Sequence, residues 1–306
     1  MVDAERRRLL TAFTYIAGNA GLIDSLWTLG KRLNLQGISS PFEDIPQAIE
    51  TQDLRQGKDI LFKVSQRIKT DGTPESLPPV IIGICGNGKT SAGAKEMLDF
   101  LPVEDIKMDQ LQDVYESGSR NKIYQLVMDI PQMYRLKSGV EVEDNDDASL
   151  MQLYFQQPEL FESNIDQVFP YVTCLLNCIL WSPQFPRLIT LDQAQEWFSQ
   201  YKTLQVIGDI TCDPEGAIQF SQETWIDDPV FVYDPFTRQN HPGFEGEGIA
   251  VMAVTNLPCE FSTDASTRFS GEIKPYLPAI FLANYEAHDM NEAGLPPEIQ
   301  AATILW

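Results

Sequence analysis

The run Gly83-Ile-Cys-Gly86-Asn-Gly88-Lys-Thr90 closes an apolar stretch and opens an amphipathic one. Such a run suits a phosphate group. Glycines permit a sharp turn and close approach of an anion, and the free N–H groups and dipole at a helix start hold it. Two ligands share this physics. Taken as Gly-x-x-x-x-Gly-Lys-Thr, the run is a nucleoside-triphosphate loop. Taken from Gly86 as Gly-x-Gly-x-x-Ser-x-Gly, ending at Gly93, it is a dinucleotide-binding turn. A triphosphate loop also needs an apolar strand ending in an acid that holds magnesium. Leu126-Val-Met-Asp129 offers itself, but Pro131 follows at once, and an ordinary helix face is the expectation there.

Alternating strands and helices must position this turn. Val80–Ile84 reads as a buried strand. Ala94, Met97, Leu98 and Leu101 share one face of the helix expected after the turn, and Val103–Ile106 reads as the next strand, completing a βαβ unit. Further strands are expected within Phe169–Trp181, Leu204–Ile210 and Ile249–Val254, which together predict a parallel sheet with helices on both faces. Upstream, residues 9–13 read as a short strand. Leu22, Leu26, Leu29 and Leu33 mark a helix over Asn19–Leu35, and Gly18 and Gly21 point to close packing against another backbone. Residues 57–69 read as a second amphipathic segment, and 71–79 as a linker. The acidic stretch 141–147 reads as a solvated loop, and 264–286 as a helical tail interrupted at Pro275. The expected divisions are 1–78, 79–258 and 259–306, with no internal repeat.

Among the 306 residues, 44 acids against 22 bases give a net charge of −22. A field of that sign repels phosphate backbones, which excludes nucleic acid as an expected partner. The first eight residues carry charge without an apolar run behind them, so no signal peptide is expected. The longest apolar stretch, Val172–Trp181, is too short to span a bilayer and is broken by Asn177. No membrane partner is therefore expected. Five cysteines without framework spacing fit reduced thiols in the cytoplasm. Cys174 and Cys178 read as buried thiols rather than a metal pair, and no metal site is expected.

A more specific pattern lies downstream of the turn. Tyr154-Phe-Gln-Gln-Pro158, Tyr171-Val-Thr-Cys-Leu-Leu-Asn177-Cys-Ile-Leu-Trp181, Pro186-Arg-Leu188, Gly208-Asp-Ile-Thr-Cys-Asp213-Pro-Glu-Gly216, Glu245-Gly-Glu-Gly-Ile249 and Val254-Thr-Asn-Leu-Pro258 occur in order. Together they resemble the lysine-ketoglutarate reductase region of the α-aminoadipic semialdehyde synthase family. More distantly they resemble alanine dehydrogenase and the NAD-binding part of transhydrogenase. The likeness runs from about Leu10 to Tyr276. It implies a Rossmann-like doubly wound parallel sheet, with flanking helices from an incomplete second lobe. It also implies NADP or NAD as cofactor, and reductive coupling of lysine with 2-oxoglutarate to saccharopine.

By that resemblance Gly86, Asn87, Gly88, Lys89 and Ser91 would form the pyrophosphate turn. Leu176 and Asn177 would lie beside the cofactor at a strand end, with Asp209 a further candidate. Asp213 and Asn256 would act near the nicotinamide. Lys89-Thr90 departs from the small or apolar residues usual after the second glycine. The lobe that supplies a catalytic lysine and histidine in these relatives is expected from a separate partner, and a second copy of the chain is the other partner considered. His241 and His288 fall in no matching motif, and His241 reads as a turn residue. Choice between the two cofactors rests on the residue ending the second strand. That strand ends Glu104-Asp-Ile-Lys107, and Lys107 tilts the expectation toward NADP.

Overall fold

The apolar segments become strands β1 (Ile81–Cys85), β2 (Val103–Asp105), β3 (Ile123–Met128), β4 (Tyr134–Leu136), β5 (Phe161–Ser163), β6 (Cys174–Asn177), β7 (Val206–Asp209), β8 (Val230–Asp234), β9 (Gln239–Pro242) and β10 (Ile249–Met252). The computed structural model describes residues 1, 9–142, 144 and 146–304. Eight strands gather into one sheet in the order β2-β3-β1-β6-β7-β10-β8-β9. The first six in that order run parallel, β8 and β9 add an antiparallel edge, and β4 and β5 form a separate antiparallel pair. All five residues of β1 are buried. Its unbroken apolar run is what a strand covered on both faces requires.

The helices are α1 (Ala12–Leu35), α2 (Leu54–Asp71), α3 (Lys89–Leu98), α4 (Leu111–Ser117), α5 (Ile130–Met133), α6 (Asp147–Gln156), α7 (Leu191–Gln200), α8 (Ser262–Ile273), α9 (Leu277–Leu282) and α10 (Pro297–Ala302). One face of the sheet packs against α1, α2 and α3, with Leu22, Leu26, Leu29, Leu61, Val64 and Met97 in that core. The other packs against α4, α6 and α7 through Leu111, Tyr154 and Trp197. Helices on both faces of a mostly parallel sheet make this a Rossmann-like doubly wound α/β fold.

The structure revises several expectations. Residues 12 and 13 belong to the first turn of α1 rather than a strand. A five-residue apolar run does not distinguish the two by periodicity. The leucine stripe of α1 is fully buried in the chain's own core. Leu126–Met128 lie in strand β3, not on a helix face; Asp129 then starts α5, where Pro131 fits the first turn. His241 sits on edge strand β9 opposite Val232 rather than in a turn. The acidic stretch includes residues 143 and 145, which lie outside the described residues, as does most of the first eight; Asp146 ends it by capping α6.

Helix α1 matters because it carries α3. A Cβ built at Gly18 would overlap the Thr90 carbonyl oxygen, and one at Gly93 would overlap that of Tyr15. Asn19 Nδ2 donates to the Gly93 carbonyl at 2.8 Å. Gly21 faces the Ile210 side chain instead of a backbone. The start of α1 is tied down by Glu272 of α8, whose carboxylate accepts from the N–H groups of Thr11 and Ala12 at 2.7 and 2.9 Å.

A buried acid pair joins α1 to the segment after β10. Asp24 and Glu260 are both buried, and Asp24 accepts from Ala48 N–H at 2.8 Å. Burial raises both carboxyls, and repulsion from Asp24 raises Glu260 further. Because the folded values are raised, the pair's stabilising contribution is complete below the ordinary carboxylate value of about 4 and is lost as pH rises through the raised values. Melting temperature followed from acid to alkaline pH is expected to fall, and Glu260→Gln to flatten that fall. An equal fall in the variant would refute the assignment.

Candidate functional site

The carboxyl ends of β3, β1, β6 and β7 form one row in register: Met128 opposite Cys85, Cys85 opposite Asn177, and Asn177 opposite Asp209. From β1 the chain moves to β2 and then β3 on one side, and later to β6 on the other. That is a topological switch point, where ligands bind in open α/β sheets.

The turn beyond β1 consists of Gly86, Asn87 and Gly88. Gly86 has φ +95°, a left-handed conformation that favours glycine, and its N–H donates to Met128 O at 2.8 Å. Ser91 is fully buried, and its hydroxyl donates to Gly86 O at 2.6 Å. It therefore braces the turn from beneath. Gly88 is the N-cap of α3, with φ −94° and ψ −157°. Any residue can adopt that backbone, and a Cβ there would meet no atom within 4 Å. Internal packing thus gives no reason for a glycine at 88. Open space in front of it, facing the unpaired N–H groups of a helix start, does. Lys89 is exposed at the first position of α3.

Beside this turn lies a cavity of about 490 Å³. Gly86, Asn87 and Gly88 form one wall and Asp129 another, while Tyr134, Tyr154, Trp181 and Phe185 supply flat apolar surface. Tyr154 stacks on Tyr134 and Phe185 with centroids 4.9 and 5.1 Å apart. Phe155 and Leu180, both exposed, line it too. A glycine turn at a helix start, opening onto an aromatic wall, has the chemistry to suit a phosphate joined to a planar ring.

Asn177 and Asp209 form the next element of the row. Asn177 Nδ2 donates to Asp209 Oδ1 at 2.8 Å and to Thr211 Oγ1 at 3.0 Å, and Cys212 N–H donates to the same carboxylate oxygen at 3.3 Å. Burial raises the Asp209 carboxyl, offset by these hydrogen bonds. The pair fastens the ends of β6 and β7 to the loop carrying Asp213. Asn177→Ala is expected to cost about 1–3 kcal/mol by leaving a buried carboxylate short of a donor; urea unfolding without loss would contradict this.

The remaining sequence-derived residues scatter. Leu176 is fully buried in the core on the α1 side. Asp213, half-buried and raised by burial, follows β7. Asn256 follows β10, and its Oδ1 is buried without a hydrogen-bond partner among the described residues. Neither lines the aromatic cavity. Lys107 follows β2, on the far side of β3 from the turn. Cys174 and Cys178 are buried free thiols, each pushed up to about 12 by burial. Sequence reasoning weighed Asp129 only as the acid of a triphosphate loop and set it aside, and it gave no role to the aromatic wall. The run was discounted because Pro131 follows it, although Pro131 only opens α5 beyond the strand.

No protein-family model matches the chain. It is 30% identical to an alpha-aminoadipic semialdehyde synthase of Arabidopsis thaliana over 88% of this chain and 26% of that protein. It is 29% identical to the mitochondrial alpha-aminoadipic semialdehyde synthase of Rattus norvegicus over 99% of this chain and 34% of that protein. The chain thus spans about a quarter to a third of the length of these curated relatives. Among solved structures, an L-alanine dehydrogenase is similar with a TM-score of 0.47 at 16% identity, over 92% of this chain and 57% of that one. A transhydrogenase from Sinorhizobium meliloti is similar with a TM-score of 0.45 at 14% identity, over 96% and 66%. No helix among the described residues is long and apolar enough to cross a membrane.

Proposed function

We propose that this chain, homologous to the lysine-ketoglutarate reductase/saccharopine dehydrogenase-like region of alpha-aminoadipic semialdehyde synthase, is the NAD(P)-binding part of an oxidoreductase of lysine metabolism. Gly88 carries the proposal, because its lack of a side chain leaves room that no protein atom uses. The residues present fit a dinucleotide. The pyrophosphate would meet the N–H groups of Asn87, Gly88 and Lys89, the base would lie in the cavity along the wall that Phe155, Leu180 and Trp181 supply, and Asn256 would lie near the nicotinamide half. When bound, the cofactor supplies hydride for reduction of an imine, with lysine and 2-oxoglutarate as the substrates by homology. Asp213, with its carboxyl raised, would hold or move a proton near that centre.

Both histidines are exposed, His241 on β9 and His288 in the tail, and neither lines the cavity. The other proton-transfer groups would come from an N-terminal lobe docked on this chain. The free thiols accord with a reducing compartment, and we take it as cytoplasmic. Titration with NADH, NADPH and magnesium–ATP, read by calorimetry, tests the binding role. Loss of nicotinamide absorbance with lysine and 2-oxoglutarate, with and without that lobe, tests turnover. Binding without turnover in either case would make the chain a regulatory dinucleotide-binding module instead.

One observation favours a triphosphate loop: β3 does end in an acid, Asp129, beside the turn. The pairing of β1 weighs against it. Gly83, Ile84 and Cys85 pair with β3 on one side and β6 on the other. Only Gly86–Gly88 remain to turn, too few to wrap a phosphate ahead of Lys89. Stabilisation by magnesium–ATP and by neither dinucleotide would reverse this judgement.

A further inference from the structure

We propose a second ligand site in this chain, at the amino ends of β7 and β10, that takes a small anion of the carboxylate or phosphate class. A cavity of about 400 Å³ opens there, lined by Arg32, Lys202, Gln205 and the loop Gly246-Glu-Gly248. Gln205 immediately precedes β7, and Gly248 immediately precedes β10. Strands β1, β6, β7 and β10 run parallel, so this cavity and the glycine turn lie at opposite ends of the sheet. The inference does not depend on the dinucleotide reading.

Arg32 is the first observation. It sits in the last turn of α1 and is only 6% exposed. Its Nη1 and Nη2 donate to the carbonyl oxygens of Phe244 and Gly248 at 2.6 and 3.0 Å. Its Nε finds no acceptor among the described residues. None of the ion pairs among the described residues includes Arg32. Carbonyl dipoles satisfy N–H groups but do not neutralise a charge, and a buried guanidinium without a counter-ion is costly. A group that merely tied α1 to the loop could be a neutral amide. The orphaned charge stands in a chain of net charge −22.

The loop is the second observation. Gly246 and Gly248 have φ of +111° and +133°. A Cβ at Gly248 would overlap Tyr233 O, so close packing accounts for that glycine. At Gly246 the nearest atom is 4.0 Å away, and the left-handed backbone alone demands glycine. No backbone carbonyl among the described residues accepts from the N–H groups of 246, 247 or 248. Successive unpaired N–H groups in a glycine turn make a concavity suited to an anion. Lys202 adds a second cation, its Nζ held 3.3 Å from the centroid of the Phe198 ring at the cavity edge. Glu247 is the one acid among the described residues that line the cavity. Glu247 and Asp234 attract Lys202, but neither pairs with it among the described residues. Two cations and three free N–H groups against one lining acid leave the cavity positive.

The test titrates the whole chain with phosphate and with succinate by calorimetry, at an ionic strength held constant with sodium chloride. Wild type is expected to bind at least one of them with a dissociation constant of about 1 mM or tighter. Lys202→Glu reverses an exposed charge, so the ligand-free melting temperature and the dinucleotide affinity should hold while affinity for the small anion falls at least about tenfold. Arg32→Gln should abolish binding. That variant also loosens the loop, so its melting temperature is recorded alongside and Lys202→Glu carries the decision. Gly88→Val, altered at the glycine turn, should still bind the small anion here. Binding of neither anion by wild type, an affinity unmoved by Lys202→Glu, or loss of all binding in Gly88→Val, which would place the anion on α3, would each overturn the inference.

Discussion

Gly88→Val is expected to weaken dinucleotide binding by at least about 100-fold while barely changing the stability of the ligand-free protein. Position 88 has an ordinary extended backbone and open space where a side chain would go. Valine therefore strains nothing, and the only cost to the fold is a poorer N-cap, about 1 kcal/mol. The ligand loses far more. Two isopropyl methyls would stand where the pyrophosphate must approach the N–H groups of α3. Two lost charge-assisted hydrogen bonds at about 1.5–3 kcal/mol each come to about 3 kcal/mol or more, and each 1.4 kcal/mol is about tenfold in affinity. Calorimetric titration alongside a melting curve separates the two effects. Unchanged affinity would mean that no anion approaches the main chain at position 88.

Gly18→Ala should do the reverse and strike the fold first. Its Cβ would overlap the carbonyl oxygen of Thr90, the second residue of α3. Two backbones must then separate, and neither can swing away as a side chain would. Overpacking in a core costs about 1–3 kcal/mol, and backbone against backbone belongs at the top of that range. The displacement also moves the helix start proposed to hold the pyrophosphate, so stability and affinity should fall together. Gly93→Ala, overlapping Tyr15 O across the same crossing, should behave alike. Urea unfolding of either variant with an unchanged midpoint would show that α1 and α3 do not pack this closely.

The architecture was largely legible because buried parallel strands leave continuous apolar runs. Val80–Ile84 covers all but the last residue of β1, and Leu204–Ile210 and Ile249–Val254 each contain a strand. What sequence could not supply was lateral order. Nothing in the composition of β2 or β3 says which of them lies beside β1. Strands were therefore counted along the chain, whereas in space β3 and not β2 lies beside β1, with Lys107 across β3 from the turn. The helix start at residues 12–13 was missed for a different reason, since a short apolar run fits either period. Ser91 was legible as part of the turn but not as its brace, because a hydroxyl's partner is a tertiary fact. The aromatic wall draws on Tyr134, Tyr154, Trp181 and Phe185 from three separate segments, so no local pattern announces it.

The most direct test is a crystal structure of the chain with NADH. The pyrophosphate should lie against the N–H groups of residues 87–89, with the adenine in the cavity lined by Phe155, Leu180 and Trp181. A nucleotide bound elsewhere on the molecule, with the helix start of α3 facing only solvent, would contradict the account.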